Sequence, residues 1–267
     1  MEDQPKKSLG QHWLRDEPTL TAIVDAASIS GSDIVVEVGP GPGYLTRHLA
    51  DQAKKVIAIE LDDNLAAKLP GRVKAGNLEI IHEDILRLDL STLPTNYKVV
   101  ANIPYYLTSN LLRTLSESTN PPKFMVLLVQ KEVAERICAR PGQMSLLSVS
   151  VQLYYGASLG VVVPADKFDP PPKVDSQVVI LKRHWQPMFP KLDERKFFQV
   201  VKAGFAGRRK KLRSSLAAGL HMSKEQVDEL LLRAEVNGDL RAQNLSLNQW
   251  YEIYLAVTAK QDLRALI

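Results

Sequence analysis

The sequence predicts an α/β protein, with a mostly parallel, doubly wound sheet followed by a small helical domain. Three observations carry this. Short β-branched runs alternate with helical patterns through the first two-thirds of the chain, and strands separated by single helices connect as crossovers into a parallel sheet. The run "KFMVLLV" is apolar almost throughout, as suits a central strand covered on both faces. Beyond residue 193 only helical patterns follow.

The elements follow in order. Leu20, Ile23, Val24 and Ala27 recur at helical spacing behind Asp16, a candidate cap. Strands are expected at "DIVVEV" (33–38), "KVIAIE" (55–60), "LEIIHE" (78–83), "KVVANI" (98–103) and "KFMVLLVQ" (123–130). Helices are expected between them at "GYLTRHLAD", "DDNLAAKL" and "LTSNLLRTLSES". "SLLSVSVQLYY" reads as a further helix, and "SLGVVV" (158–163) and "SQVVILKR" (176–183) as two more strands. Prolines 170–172 forbid helix between those strands and favour a stiff, extended loop. "HWQPMFPKLD" (184–193) reads as a linker, and four helical stretches follow it. The expected domains are therefore 1–183 and 184–267.

Composition narrows the class. The chain has 267 residues, 45% hydrophobic and 24% charged, ordinary for a soluble globular protein. No apolar run has the length of a membrane span, and the first residues lack the apolar core of a secretory signal. With a single cysteine, Cys138, an intrachain disulfide is excluded and no metal site is expected; a reducing, cytoplasmic setting fits. Charge is unevenly spread. Residues 1–183 hold 20 Lys+Arg against 21 Asp+Glu, and residues 184–267 hold 14 against 9. "KAGFAGRRKKLR" (202–213) has six basic residues and no acid, which points to a polyanionic partner, a nucleic acid first.

"EVGPGPG" (37–43) stands where the first strand hands over to a helix. In open α/β sheets the ligand crevice lies at such strand ends. Gly39, Gly41 and Gly43 do not match the dinucleotide spacing, because Tyr44 stands where a glycine is required, and no G-K-[ST] follows for a phosphate loop. The pattern E-x-G-x-G-x-G resembles instead the loop of Rossmann-like S-adenosylmethionine (SAM) methyltransferases, with Gly39 and Gly41 facing the cofactor. Glu60, at the end of the second strand, is placed to accept ribose hydroxyls. Asp84, at the end of the third, is placed to accept from an adenine amino group.

"NIPYY" (102–106) then falls at the fourth strand exit. A strand-to-loop turn with two packed tyrosines would produce the same residues. In this crevice they also suit a flat, nitrogen-bearing ring. The side-chain oxygen of Asn102 and the carbonyl of Pro104 would accept the two N–H groups of an exocyclic amine, with Tyr105 as stacking platform. Tyr106 and Ile103 are expected to pack inward. Positioning carries most of such a reaction, because the proton can leave after methyl transfer.

Along nearly its whole length the chain resembles the KsgA family, the 16S ribosomal RNA adenine N6,N6-dimethyltransferases. The resemblance rests on "KKSLGQHWLRD", "EVGPGPGYLT", "AIELD", "HEDIL", "NIPYYLTS" and "FDPPPKVDSQVV", in the family's order and spacing. Trp13 stands where the family usually has Phe. The resemblance implies cofactor contacts from His12, Leu14, Gly39, Glu60, Asp84 and Asn102. It also implies that Phe168 stacks on the target adenine opposite Tyr105. The substrate implied is a hairpin loop of 16S rRNA in the small subunit or its precursor, since base-modifying enzymes need an unstacked base. Arg208, Arg209, Lys210 and Lys211 are expected to contact phosphates, and the enzyme to act as a monomer. Two alternatives share the scaffold: an Erm-type large-subunit rRNA methyltransferase, and a non-catalytic ribosome-assembly or transcription factor. "FAGRRKKLRSSL" and "LSLNQWYEIYLA" resemble KsgA rather than Erm.

Overall fold

Strands form where the β-branched runs fall. The computed structural model describes residues 4–6, 9–207 and 209–265. Its strands are β1 (Trp13–Leu14), β2 (Ile34–Val38), β3 (Lys55–Glu60), β4 (Leu78–His82), β5 (Lys98–Asn102), β6 (Phe124–Gln130), β7 (Tyr155–Val163), β8 (Phe168–Asp169) and β9 (Ser176–Arg183). Seven of them make one sheet in the order β4-β3-β2-β5-β6-β9-β7. From β4 to β6 all neighbours are parallel. β9 then runs antiparallel to β6, and β7 antiparallel to β9. The sheet is therefore mostly parallel, as expected, with an antiparallel pair closing one side.

Strand order decides where a ligand can sit. The chain builds outward from β2 through β3 to β4, then returns to add β5 on the other side of β2. Loops leaving β2 and β5 thus diverge to opposite faces, opening a crevice at their carboxyl ends.

The helices of this part are α1 (Glu17–Ala27), α2 (Tyr44–Gln52), α3 (Asp63–Val73), α4 (Thr108–Glu117) and α5 (Lys131–Ile137), of which α2, α3 and α4 cross over between parallel strands. Asp16 caps α1 by accepting from the Thr19 amide at 3.2 Å, as expected. The four residues read at helical spacing, Leu20, Ile23, Val24 and Ala27, are all buried on α1. They pack with Val35 of β2, Val100 of β5 and Val126 of β6 in one apolar cluster. At the other end of the sheet Lys98 is only 8% exposed. It pairs with Asp33 at 3.0 Å and donates to the carbonyls of Ala27 and Ser28.

Packing divides the chain into two units. One holds the residues up to Cys138 together with Tyr155–Arg183; the other holds Ala139–Tyr154 and the residues from His184 onward. The cut after Arg183 falls at the expected boundary, but segment 139–154 lies outside the contiguous 1–183 reading. The reason is apolar. Met144, Val149 and Leu153, on and around α6 (Leu146–Gln152), are buried with Phe197, Val201 and Trp250. The helix read over "SLLSVSVQLYY" is correspondingly short. β7 already begins at Tyr155, whose buried hydroxyl donates to the Pro122 carbonyl at 3.1 Å.

The second unit contains α7 (Glu194–Phe205), α8 (Leu212–Gly219), α9 (Lys224–Arg233) and α10 (Leu247–Ala265). They pack around the fully buried Trp250. A Cβ at Gly204 of α7 would run into the Trp250 ring, so only glycine lets this helix approach so closely. Among the described residues no helix is long and apolar enough to cross a membrane.

Candidate active site

The glycine loop forms because each of its three glycines adopts a conformation that L side chains rarely adopt. Gly39, Gly41 and Gly43 have φ of +68°, +57° and +91°. A Cβ at Gly43 would lie 2.7 Å from Leu69 Cδ1 and 2.9 Å from Val73 Cγ2, so α3 closes the back of the loop. The loop lines a cleft at the β2/β5 switch point, together with Glu60, Asp84, Asn102, Pro104 and Tyr105. The first unit thus brings the expected strand-exit residues to one place.

Glu60 is buried at the end of β3. Its Oε2 accepts the Gly41 amide at 3.0 Å and its Oε1 the Asp62 amide at 2.9 Å. Burial raises its pKa, and these two hydrogen bonds oppose that shift. Each carboxylate oxygen has two lone pairs, so Glu60 shapes the loop and can still accept from a sugar. Asp62 next to it caps α3 and is paired with Lys6 at 2.7 Å. Asp84 holds its own turn by accepting the Leu86 amide at 3.0 Å, and its side chain is partly exposed at the cleft.

Asn102 ends β5, and its Nδ2 donates to the His12 carbonyl at 3.0 Å. That bond leaves Oδ1 as the free acceptor. The Pro104 carbonyl accepts the Leu107 amide at 2.9 Å in a short 3-10 turn, retaining one lone pair. Tyr105 is held at both ends. Its hydroxyl lies 2.8 Å from Ser176 Oγ on β9, and its ring stacks on that of His12 at 5.8 Å and 21°.

His12 is itself placed by a ladder that local sequence does not announce. β1 pairs antiparallel with β8, Trp13 opposite Asp169 and Leu14 opposite Phe168. Next to that pair, His12 Nδ1 lies 2.7 Å from the Pro170 carbonyl. The N-terminal motif and the proline-rich loop, more than 150 residues apart, form one wall of the cleft. Leu14 lines the cleft and is buried in the core behind it.

Two expectations about aromatic rings are corrected. Phe168 is 4% exposed and packs into the core with Leu14, Leu20, Val163 and Val178. It is not among the residues that line the cleft. Tyr106, expected in the core, is 60% exposed on the cleft instead. The 3-10 turn over Tyr105–Leu107 sends the two successive rings in different directions. Ile103 is buried as expected.

Further residues escaped sequence reasoning. Ser176 anchors Tyr105, and its only signal was the "VDS" that follows the prolines. Glu37, in the glycine motif, is 1% exposed. Burial pushes its carboxyl up to about 8, with the Thr46 hydroxyl opposing the shift and Glu60 reinforcing it. Glu37 Oε2 and the indole N–H of Trp13 lack a hydrogen bond among the described residues. Trp13 Nε1 lies against the loop, 3.3 Å from where a Gly41 Cβ would be. Buried polar groups rarely stay unpaired, and these lie around the cradle where a polar ligand fits. A cofactor with an amino acid and a ribose matches this donor and acceptor set.

In the second unit, Lys211 pairs with Asp239 at 3.2 Å, and Arg213 pairs with Asp228 and Asp239. Arg209 and Lys210 are exposed in the turn before α8 and make no ion pair among the described residues. Arg208 lies outside the described residues.

A parallel sheet of this strand order, with a glycine cradle and an acid at each of the next two strand ends, defines a Rossmann-like methyltransferase. The ribosomal RNA adenine dimethylase family matches residues 2–259, and the chain belongs to that family. A ribosomal RNA small subunit methyltransferase A of Dehalococcoides mccartyi is 44% identical over 257 residues, covering 95% of this chain and 88% of the relative. A dimethyladenosine transferase of Plasmodium falciparum superposes with a TM-score of 0.81 at 28% identity, over 94% of this chain and 98% of that one. The 23S rRNA methyltransferase ErmE superposes at 0.75 and 27%, over 92% and 99%.

Proposed function

We propose that the protein dimethylates the N6 amine of adenosines in a hairpin loop near the 3′ end of 16S rRNA, using SAM, during small-subunit assembly. The observation that carries this reading is the tie of Asn102 Nδ2 to the His12 carbonyl, which leaves Oδ1 to accept from a substrate amine. An adenine N6 lone pair is delocalised into the ring. Accepting its two N–H groups at Asn102 Oδ1 and the Pro104 carbonyl favours a pyramidal, nucleophilic nitrogen. Tyr105, fixed by Ser176 and His12, offers a rigid ring face for the base. Glu60 and Asp84 would hold the ribose and adenine of the cofactor, and Gly39 and Gly41 let it approach the backbone. When bound, SAM supplies an electrophilic methyl group. The residual proton leaves to water, and no side chain is required to take it beforehand.

The first unit is read as catalytic and the second as RNA-binding, with Arg208, Arg209 and Lys210 contacting phosphates. Lys211 is engaged by Asp239 and contributes less. We place the enzyme in the cytoplasm as a monomer. The likeness to ErmE favours a second reading, a large-subunit rRNA target. The relatives at 39–44% identity, however, carry the small-subunit name. Transfer of labelled methyl from SAM to unmethylated small-subunit particles, with large-subunit RNA as control, separates the two. Label is expected in the small-subunit RNA; label only in the large-subunit RNA would overturn the reading.

A further inference from the structure

Positioning of the amine leaves Tyr106 unused. Its ring is largely exposed yet lines the cleft, and it is seated rather than free. One ring edge packs on Gly10, where a Cβ would meet Tyr106 Cδ1 at 3.3 Å and Cε1 at 3.5 Å. Gly10 has φ of +61°, so this seat suits glycine in both conformation and space. Partial burial, then the carboxylates of Asp84 and Glu60, raise the pKa of the Tyr106 hydroxyl. Its charged neighbours are therefore the acids at the ends of β4 and β3. Tyr105 reaches the other way, to Ser176 on β9. Adjacent tyrosines thus serve opposite ends of one cleft.

We propose that Tyr106 covers the cofactor, its ring closing over the nucleoside half held by Glu60 and Asp84 and setting how long the cofactor stays bound. This rests on the methyltransferase reading. A flat apolar ring at the mouth of a nucleoside subsite stacks on a purine or packs on a ribose, as aromatic pairs do. The open outer face of Tyr106 and its position at the rim let it move aside for entry without disturbing the core.

The test measures binding of S-adenosylhomocysteine and of 5′-methylthioadenosine, which keeps only the nucleoside half, to wild type, Tyr106→Phe and Tyr106→Ala. Tyr106→Ala is expected to weaken both ligands about 5- to 10-fold, mainly through faster dissociation. Tyr106→Phe should stay near wild type, and thermal stability of the free protein should not change, because the ring is exposed. Unchanged ligand affinity in Tyr106→Ala with a raised KM for RNA would assign the ring to the substrate and overturn the inference. A loss confined to S-adenosylhomocysteine would overturn it too. Wild-type protein that binds neither ligand would overturn the methyltransferase reading itself.

Discussion

The side-chain amide of Asn102 donates to the main-chain carbonyl of His12 at 3.0 Å, joining residues 90 positions apart. One hydrogen bond thereby orients the acceptor at the centre of the cleft and ties the β5 exit to the N-terminal motif. Replacing Asn102 with Ala removes the acceptor and the tie together. Single-turnover methyl transfer should fall about 100-fold or more, the scale of a misplaced reactant. S-adenosylhomocysteine affinity, supported by Glu60 and Asp84 as well, should fall far less.

Ser176 acts one step further back. Removing its hydroxyl by Ser176→Ala leaves the Tyr105 hydroxyl, part-buried, without its partner at 2.8 Å. The expected stability cost is about 1 kcal/mol. The telling measurement is KM for the RNA, which should rise because Tyr105 gains freedom; cofactor affinity should hold. A variant with normal KM would mean that the ring does not need this anchor.

Glu37 makes stability depend on pH with a definite sign. Its folded pKa, raised to about 8 from 4.5 chiefly by burial, means that the folded chain binds more protons than the unfolded one between those values. Stability therefore falls as pH rises through that window and levels off above about 8. Glu37→Gln, which cannot ionise, should remove this slope. Melting temperatures of the two proteins should converge near pH 5, and the Gln variant should be the more stable at pH 8.5. Parallel curves would show that Glu37 is not held protonated.

Asp33 has the opposite sign. Burial raises its pKa, but hydrogen bonds from Lys123, Ser30 and Lys98 outweigh that and hold it well below the usual carboxylate range. Its contribution is present above about pH 4 and lost as pH falls further. Asp33→Asn leaves the buried Lys98 without its carboxylate, and breaking such a pair costs about 3–5 kcal/mol. Urea denaturation at neutral pH should show a loss of this size.

Much of this is legible in the sequence. "DIVVEV", "KVIAIE" and "KVVANI" are β-branched and flanked by turn residues, so local chemistry sufficed for the parallel strands. The glycine loop was legible for the same reason, since glycine most readily takes the left-handed conformation found at Gly39, Gly41 and Gly43. What escaped depends on contacts distant in sequence. β1 and β8 are two residues each and exist only because they meet, so nothing in "WL" or "FD" announces a strand. Phe168 and Tyr106 exchanged their expected places because burial of a ring beside a turn is decided by the wall it meets. Segment 139–154 joined the helical unit because its apolar face fits Trp250 and Phe197, which no local pattern states.

The basic turn before α8 is tested by salt dependence. Arg209→Ala with Lys210→Ala should weaken binding to small-subunit RNA and reduce the slope of log affinity against log salt by about one per lost phosphate contact. S-adenosylhomocysteine affinity should be unchanged. An unaltered slope would remove these residues from the RNA interface.

The central claim is that the amine of a small-subunit rRNA adenine is held at Asn102 and methylated there. Nucleoside analysis of RNA from unmethylated small-subunit particles, incubated with SAM and either wild type or Asn102→Ala, tests it directly. N6,N6-dimethyladenosine should accumulate with wild type and be nearly absent with the variant, although the variant still binds S-adenosylhomocysteine. Equal dimethyladenosine from both proteins, or none from wild type, would contradict it.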